Sequence, residues 1–164
     1  MSTPSRNLFH HLPPPAECLA LIVGTLELLP FGIVGLRDPA IFAHGYGLPI
    51  TTTTTSTKTP SSASSSSLSP SSVDSEQTQK ALLSAIAARN IQNGILLLTF
   101  GLVLRDRRSL GVVVLAGLVA TVADTVIVRS YGVREKVLGH VVGVVNSAVI
   151  GGCLLGWGRG DGIW

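Results

Sequence analysis

Four residues of chemically active type stand where such types are rare: Glu27, Arg89, Asp124 and His140 each interrupt a long apolar run. A charge at the middle of a membrane helix costs about 2.5–3.5 kcal/mol, so residues of this kind face a bundle interior and find partners there. A carboxylate that orients an imidazole makes a proton-moving pair, and a guanidinium beside it holds a developing oxyanion. The pattern therefore assigns Asp124 to orient or pair with His140, His140 to move a proton, and Arg89 to hold the oxyanion. That chemistry suits isomerisation, cyclisation or epoxide opening of a lipophilic small molecule, such as a polyketide or terpenoid. The sequence shows no nucleophile motif, phosphate loop, dinucleotide fingerprint or metal-ligand cluster, so no cofactor and no metal are expected.

Depth along each helix indicates which of these residues can meet. Counting from the surface that carries a Thr/Ser-rich stretch, here the loop side, Glu27 lies about 15 Å deep and Arg89 about 13 Å, while Asp124 and His140 lie roughly 6–8 Å deep. Asn146 falls in the deeper layer, and Asn93 extends the Arg89 face by one turn. All of them sit in one half of the membrane. The expectation is one polar pocket opening toward the loop side, with Arg89, Asp124 and His140 catalytic and Glu27, Asn93 and Asn146 lining it. Asp124 and His140, on helices joined by a short turn, should be nearest neighbours. The competing reading is structural: Arg89 with Glu27 or Asp124 is an interhelical ion pair that fixes packing, and His140 is a satisfied donor near the interface. On that reading the protein is a non-catalytic scaffold, partner subunit or small channel component.

The elements that must carry these residues are apolar runs at 18–36, 81–104, 110–128 and 137–157. A bilayer core about 30 Å thick needs about 20 apolar residues at 1.5 Å each, and a backbone in lipid must bond to itself, so all four are read as helices. The fold class is all-α: a four-transmembrane-helix bundle with both ends on one side and a disordered Ser/Thr-rich loop between helices 1 and 2. In residue ranges, 1–16 is an N-terminal tail, 17–36 the first helix and 37–50 a Gly/Pro-rich turn segment. The loop is 51–79, and the remaining helices follow at 81–104, 110–128 and 137–157. Pro30 cannot bond the carbonyl of Leu26 and should kink or open the first helix one turn past Glu27. Gly139 with Gly143, and Gly152 with Gly156, are spaced as helix-association pairs.

Composition agrees with the membrane class. Of the 164 residues 46% are hydrophobic and only 13% charged, about half the charge of a soluble domain. Net charge is +3, but the basic residues do not cluster and aromatics are 5%, so nucleic acid is not an expected partner. The expected partners are the lipid bilayer and a lipophilic substrate; oligomeric state is not readable. Cys18 and Cys153 lie in apolar segments and are expected as packing residues rather than a disulfide. Residues 1–17 lack a signal-peptide pattern, so the first helix is expected to stay as an anchor. Basic residues count nearly equal on the two sides; the dense loop Arg105–Asp106–Arg107–Arg108 favours cytoplasmic ends.

Several short motifs carry a resemblance: HGYGLP at 44–49, AARNIQNG at 87–94, the RDRR loop, VAD ending at Asp124, and His140. In these the chain resembles a family of small four-helix integral-membrane domains of unknown function, common in filamentous fungi and also found in bacteria. The likeness covers about 17–50 and 80–157. It departs at the Ser/Thr insertion and at Asn90, where an acid is frequent. The resemblance implies the fold and a membrane location, with an endomembrane such as the endoplasmic reticulum expected, and places Arg89, Asp124 and His140 on family positions. It also associates the chain with fungal secondary-metabolite biosynthesis.

Overall fold

The structure, a computed structural model, describes residues 15–50 and 70–156, and among these every element is helical. Helix α1 runs Pro15–Arg37 and α2 Pro39–Tyr46. Helix α3 runs Pro70–Leu98 and continues as a π-helical stretch, Thr99–Val103; α4 is Arg107–Tyr131 and α5 Arg134–Gly156. Four of these (α1, the Ser75–Val103 part of α3, α4 and α5) are long and apolar enough to cross a membrane. Their outer faces are apolar and unpacked: Val119 is 72% and Leu138 71% exposed. Such a surface is stable against lipid and not against water. The protein is a four-helix membrane protein.

Pro30 acts on α1 by changing its pitch. The helix is α-helical to Leu26, π-helical over Glu27–Val34, and α-helical again over Gly35–Arg37. Proline in a helix interior removes one N–H and presses on the carbonyl four residues back; the wider turn absorbs both, where a kink or an opening was expected. The carbonyl of Phe31, inside this stretch, accepts from Asn90 Nδ2 at 3.4 Å. Helix α3 lies close against the same stretch. A Cβ on Gly94 would stand 2.7 Å from both the carbonyl oxygen of Gly24 and the amide nitrogen of Leu28, so only glycine lets these two backbones meet.

The connections differ in detail from the sequence expectation. Asp38 caps α2 by accepting from the Ile41 amide at 3.0 Å, with Pro39 in the first turn. Thus the segment at 37–50, read as a turn, is mostly helix. Gly47 ends it at φ 94°, a left-handed conformation that suits glycine. Helix α3 begins at Pro70, ten residues inside the expected loop, and its first turns carry a Glu76–Lys80 pair at 2.7 Å. Residues 51–69 of that loop, the tail before Pro15, and everything after Gly156 lie outside the described residues.

Apolar packing is gathered at two levels. Ala16 and Ala20 at the start of α1 pack with Leu97, Leu110, Val114, and with Ile150 and Leu154 near the end of α5. The two ends of the described chain therefore lie at the same end of the bundle. Phe42, Ala43 and Leu83 form the second cluster, at the loop side. The intramembrane polar residues lie along the helices between these clusters. A Cβ placed on Gly139, Gly152 or Gly156 would meet nothing within 4 Å, and one on Gly143 would meet only Thr121 Cγ2, at 3.3 Å. Gly139, Gly152 and Gly156 thus join no helix within this chain, contrary to the reading of their spacing, whereas Gly143 sits tightly against Thr121 of α4. Cys18 and Cys153 are both half-buried and are not bonded to each other.

Candidate functional site

Asp124, on α4, is 7% exposed and is reached by Arg89 across from α3. Both guanidinium ends donate, Nη1 to Oδ1 at 3.0 Å and Nη2 to Oδ2 at 2.7 Å, a two-point ion pair. Arg89 Nη2 also donates to Asn90 Oδ1 at 3.3 Å. One turn deeper on α3, Asn93 Nδ2 donates to Glu27 Oε2 on α1. Two interhelical polar links, Arg89–Asp124 and Asn93–Glu27, therefore stand one above the other, as the i, i+4 spacing of 89 and 93 requires.

His140 is placed differently from expectation. Its Nε2 is 3.0 Å from the backbone carbonyl of Tyr46, and the Tyr46 ring meets the imidazole edge-on with centroids 4.8 Å apart. A carbonyl only accepts, so Nε2 carries the hydrogen, and in the neutral tautomer the lone pair is then on Nδ1. Asp124 accepts from Arg89 on both oxygens, and the hydrogen bond of His140 goes to the Tyr46 carbonyl instead. Matching depth and the short α4–α5 turn put Asp124 and His140 side by side in expectation; both line one cavity, but α2 folds back beneath that turn and gives His140 a different hydrogen-bond partner. The Val133 amide donates to the Gly47 carbonyl at 2.9 Å, and Gly132 lies so close to that oxygen that a Cβ would be 2.3 Å from it. Docked there, the end of α2 presents Tyr46 to His140.

Two adjoining cavities hold the six residues singled out from sequence. One, of about 260 Å³, lies between α3 and α4 and is lined by Glu27, Arg89, Asn93 and Asp124. The other, of about 380 Å³, lies between α1 and α5 beneath α2 and is lined by Glu27, Tyr46, Asp124, His140 and Asn146. Glu27, Asn90, Thr121 and Asp124 belong to both. The single pocket expected is thus two chambers that share Glu27, Asn90, Thr121 and Asp124 as their common wall, with Arg89 and Asn93 in one and His140 and Asn146 in the other.

The matching family model spans residues 25–154, a Domain of unknown function (DUF4267). The chain belongs to this family. The match takes in the second half of α1, the whole of the next two spans, nearly all of α5, and every polar residue described above. No match is found among curated proteins or among solved structures.

Sequence reasoning on this DUF4267 member passed over Tyr46. Its hydroxyl is buried and has no hydrogen-bond partner among the described residues. Burial pushes its pKa up, and the nearby Asp124 carboxylate raises it further, so the phenol keeps its proton at any physiological pH. The aromatic of the Gly45–Tyr46–Gly47 turn was the available signal, but nothing in the sequence shows that the turn folds under the bundle. Arg107 was likewise read as a loop charge facing water. It is the first residue of α4, 8% exposed, and donates from Nη2 to the Cys153 carbonyl at 2.9 Å. That carbonyl belongs to the last turn of α5, whose oxygens lack helical partners and attract a cation. Among the described residues no group of His, Cys, Asp and Glu side chains is arranged to hold a metal ion.

Proposed function

We propose that the larger cavity is the active site of a membrane-embedded acid/base enzyme that isomerises, cyclises or opens an epoxide in a lipophilic small molecule, such as a secondary metabolite. The observation that carries this reading is the convergence, on one apolar-walled cavity, of a lone pair and an unsatisfied donor. His140 Nδ1 has the lone pair, because Nε2 is committed to the Tyr46 carbonyl. The Tyr46 hydroxyl is the donor, buried with no partner at hydrogen-bond geometry among the described residues although the Asp124 carboxylate lies close by. A buried donor left unpaired costs about 1–3 kcal/mol, which a ligand oxygen placed there recovers.

In this reading His140 Nδ1 takes a proton from a C–H or O–H of the substrate, and the Tyr46 hydroxyl hydrogen-bonds the oxygen on which negative charge grows. Arg89 acts from behind Asp124. It cancels the carboxylate's charge and holds it in place, so that Asp124 adds polarity to the cavity wall without repelling the oxyanion. Arg89 is thus a positioning residue, a change from the oxyanion-holding role the sequence suggested. Val23, Leu26 and Phe31 of α1 supply apolar wall for the rest of the substrate.

The non-catalytic reading, of a scaffold, partner subunit or small channel component, has one observation in its favour. The Arg89–Asp124 pair satisfies itself and links α3 to α4. The test is turnover by microsomes carrying wild type, Arg89→Ala, Asp124→Asn or His140→Ala, with a lipid extract of cells lacking the gene as substrate. Loss of product in His140→Ala at normal protein level supports the enzyme. Unchanged product from His140→Ala, with protein lost only in the Arg89 and Asp124 variants, supports the scaffold.

A further inference from the structure

Glu27 stands at the boundary of both cavities, about ten residues from the loop-side end of α1, and its surroundings do not balance a negative charge. Its Oε2 accepts from Asn93 Nδ2, a neutral amide. Among the described residues no Lys, Arg or His lies within ion-pair distance of it. The charged or titratable groups around it can be taken helix by helix. From α3 comes Arg89, whose guanidinium is committed to Asp124. From α4 comes Asp124, which can only repel a second carboxylate. From α2 comes Tyr46, a neutral phenol, and from α5 come His140, bonded to the Tyr46 carbonyl, and Lys136. Lys136 is in the first turn of α5, exposed at the loop side, and the base of its side chain is packed at Gly47.

An ionised carboxylate so placed would be uncompensated at membrane depth, a costly state that a proton removes. Oε2 is the acceptor for Asn93, which leaves Oε1 to carry that proton. We propose that Glu27 is held as a neutral carboxylic acid and is the proton donor of the larger cavity, facing the His140 base from the opposite wall. This rests on the acid/base reading above and completes its proton balance. His140 Nδ1 accepts a proton from one atom of the substrate while Glu27 Oε1–H gives one to another. The substrate is thereby isomerised with no net gain or loss of atoms, leaving imidazolium and carboxylate across the cavity. The proton then returns from His140 to Glu27 through water admitted from the loop side. The class of substrate is narrowed accordingly. It needs a C–H or O–H acidified by a neighbouring carbonyl or epoxide, and a second basic atom (a carbonyl oxygen, an epoxide oxygen or an alkene carbon) within the span of the cavity.

Infrared spectroscopy of the full chain in lipid bilayers at neutral pH reads the proton without any substrate. The wild type minus Glu27→Gln difference should show loss of a protonated-carboxyl C=O band. In protein labelled with 13C-glutamate, that band should move on Asn93→Leu, which removes its hydrogen bond and serves as the reading should Glu27→Gln not fold. Loss of an ionised-carboxylate band in place of the acid band, or no band that responds to Asn93→Leu, overturns the proposal. With the lipid extract as substrate, Glu27→Gln microsomes should lose about 10²-fold or more of turnover, and full turnover in that variant removes the donor role even if the acid band is present. Failure of the acid/base reading itself shows separately, as unchanged turnover in His140→Ala.

Discussion

Asp124 gives both oxygens to one guanidinium, which makes a self-satisfied ion pair between α3 and α4. Removing one member leaves the other charged at membrane depth, so Asp124→Ala should destabilise the protein. The loss should fall toward the lower end of the ~3–5 kcal/mol typical of a broken buried pair, because Arg89 is 37% exposed to the cavity. The joint change Arg89→Leu with Asp124→Leu should recover most of it; thermal unfolding in detergent measures both. Tyr46→Phe is the converse case. It deletes the unpartnered hydroxyl but keeps the backbone carbonyl that holds His140, so thermal stability should hold or rise while turnover falls. A phenol that only filled space would leave turnover intact. The Arg89–Asp124 link was readable in advance as one of two pairings open to Arg89, because an unpaired charge in lipid is expensive and few groups share its depth. Tyr46 was not readable. Its role arises from where α2 docks, which no spacing within the sequence encodes.

Helices reveal themselves by length and hydropathy, and their joins by caps. All four spans lie close to where the apolar runs put them, since spanning length is set by bilayer thickness and a fixed rise per residue. The start of α3 was missed because Ser- and Thr-rich composition argued for coil, while the helix begins at Pro70 and its first turns are polar and charged, with a Glu76–Lys80 pair. Pro30 was readable as a disturbance, but the π-helical remedy depends on packing against Ile91 and Gly94. Gly94→Ala should therefore cost about 1–3 kcal/mol or more, because the new methyl meets backbone atoms of α1 rather than movable side chains. Gly139→Leu, at an open position, should leave thermal stability unchanged.

The cap at the start of α4 gives a pH dependence of known sign. The Ser109 hydroxyl, with the Ser109 and Arg108 amides, holds the Asp106 carboxyl below its usual value of about 4. The folded-state pKa is thus depressed, so the stabilisation is complete above the ordinary carboxylate pKa and is lost as pH falls through the lowered one. Hydrogen exchange at the Arg108 amide, which donates to Asp106 Oδ1 at 3.1 Å, should accelerate in that acid window relative to the middle of α4. Asp106→Asn should remove the pH dependence.

At the scale of the whole molecule, apolar packing is concentrated at the two ends and leaves polar space between them. The rigid clusters fix the helices, and the polar residues line chambers instead of filling a core. That arrangement suits a protein that admits an apolar molecule and acts on one polar part of it. The most direct measurement is metabolite profiling of cells lacking the gene, complemented with wild type or with His140→Ala at matched protein level. The account predicts that one lipophilic compound accumulates in the null cells, is cleared by wild type and stays accumulated with His140→Ala. A His140→Ala strain whose profile equals that of wild type would contradict it.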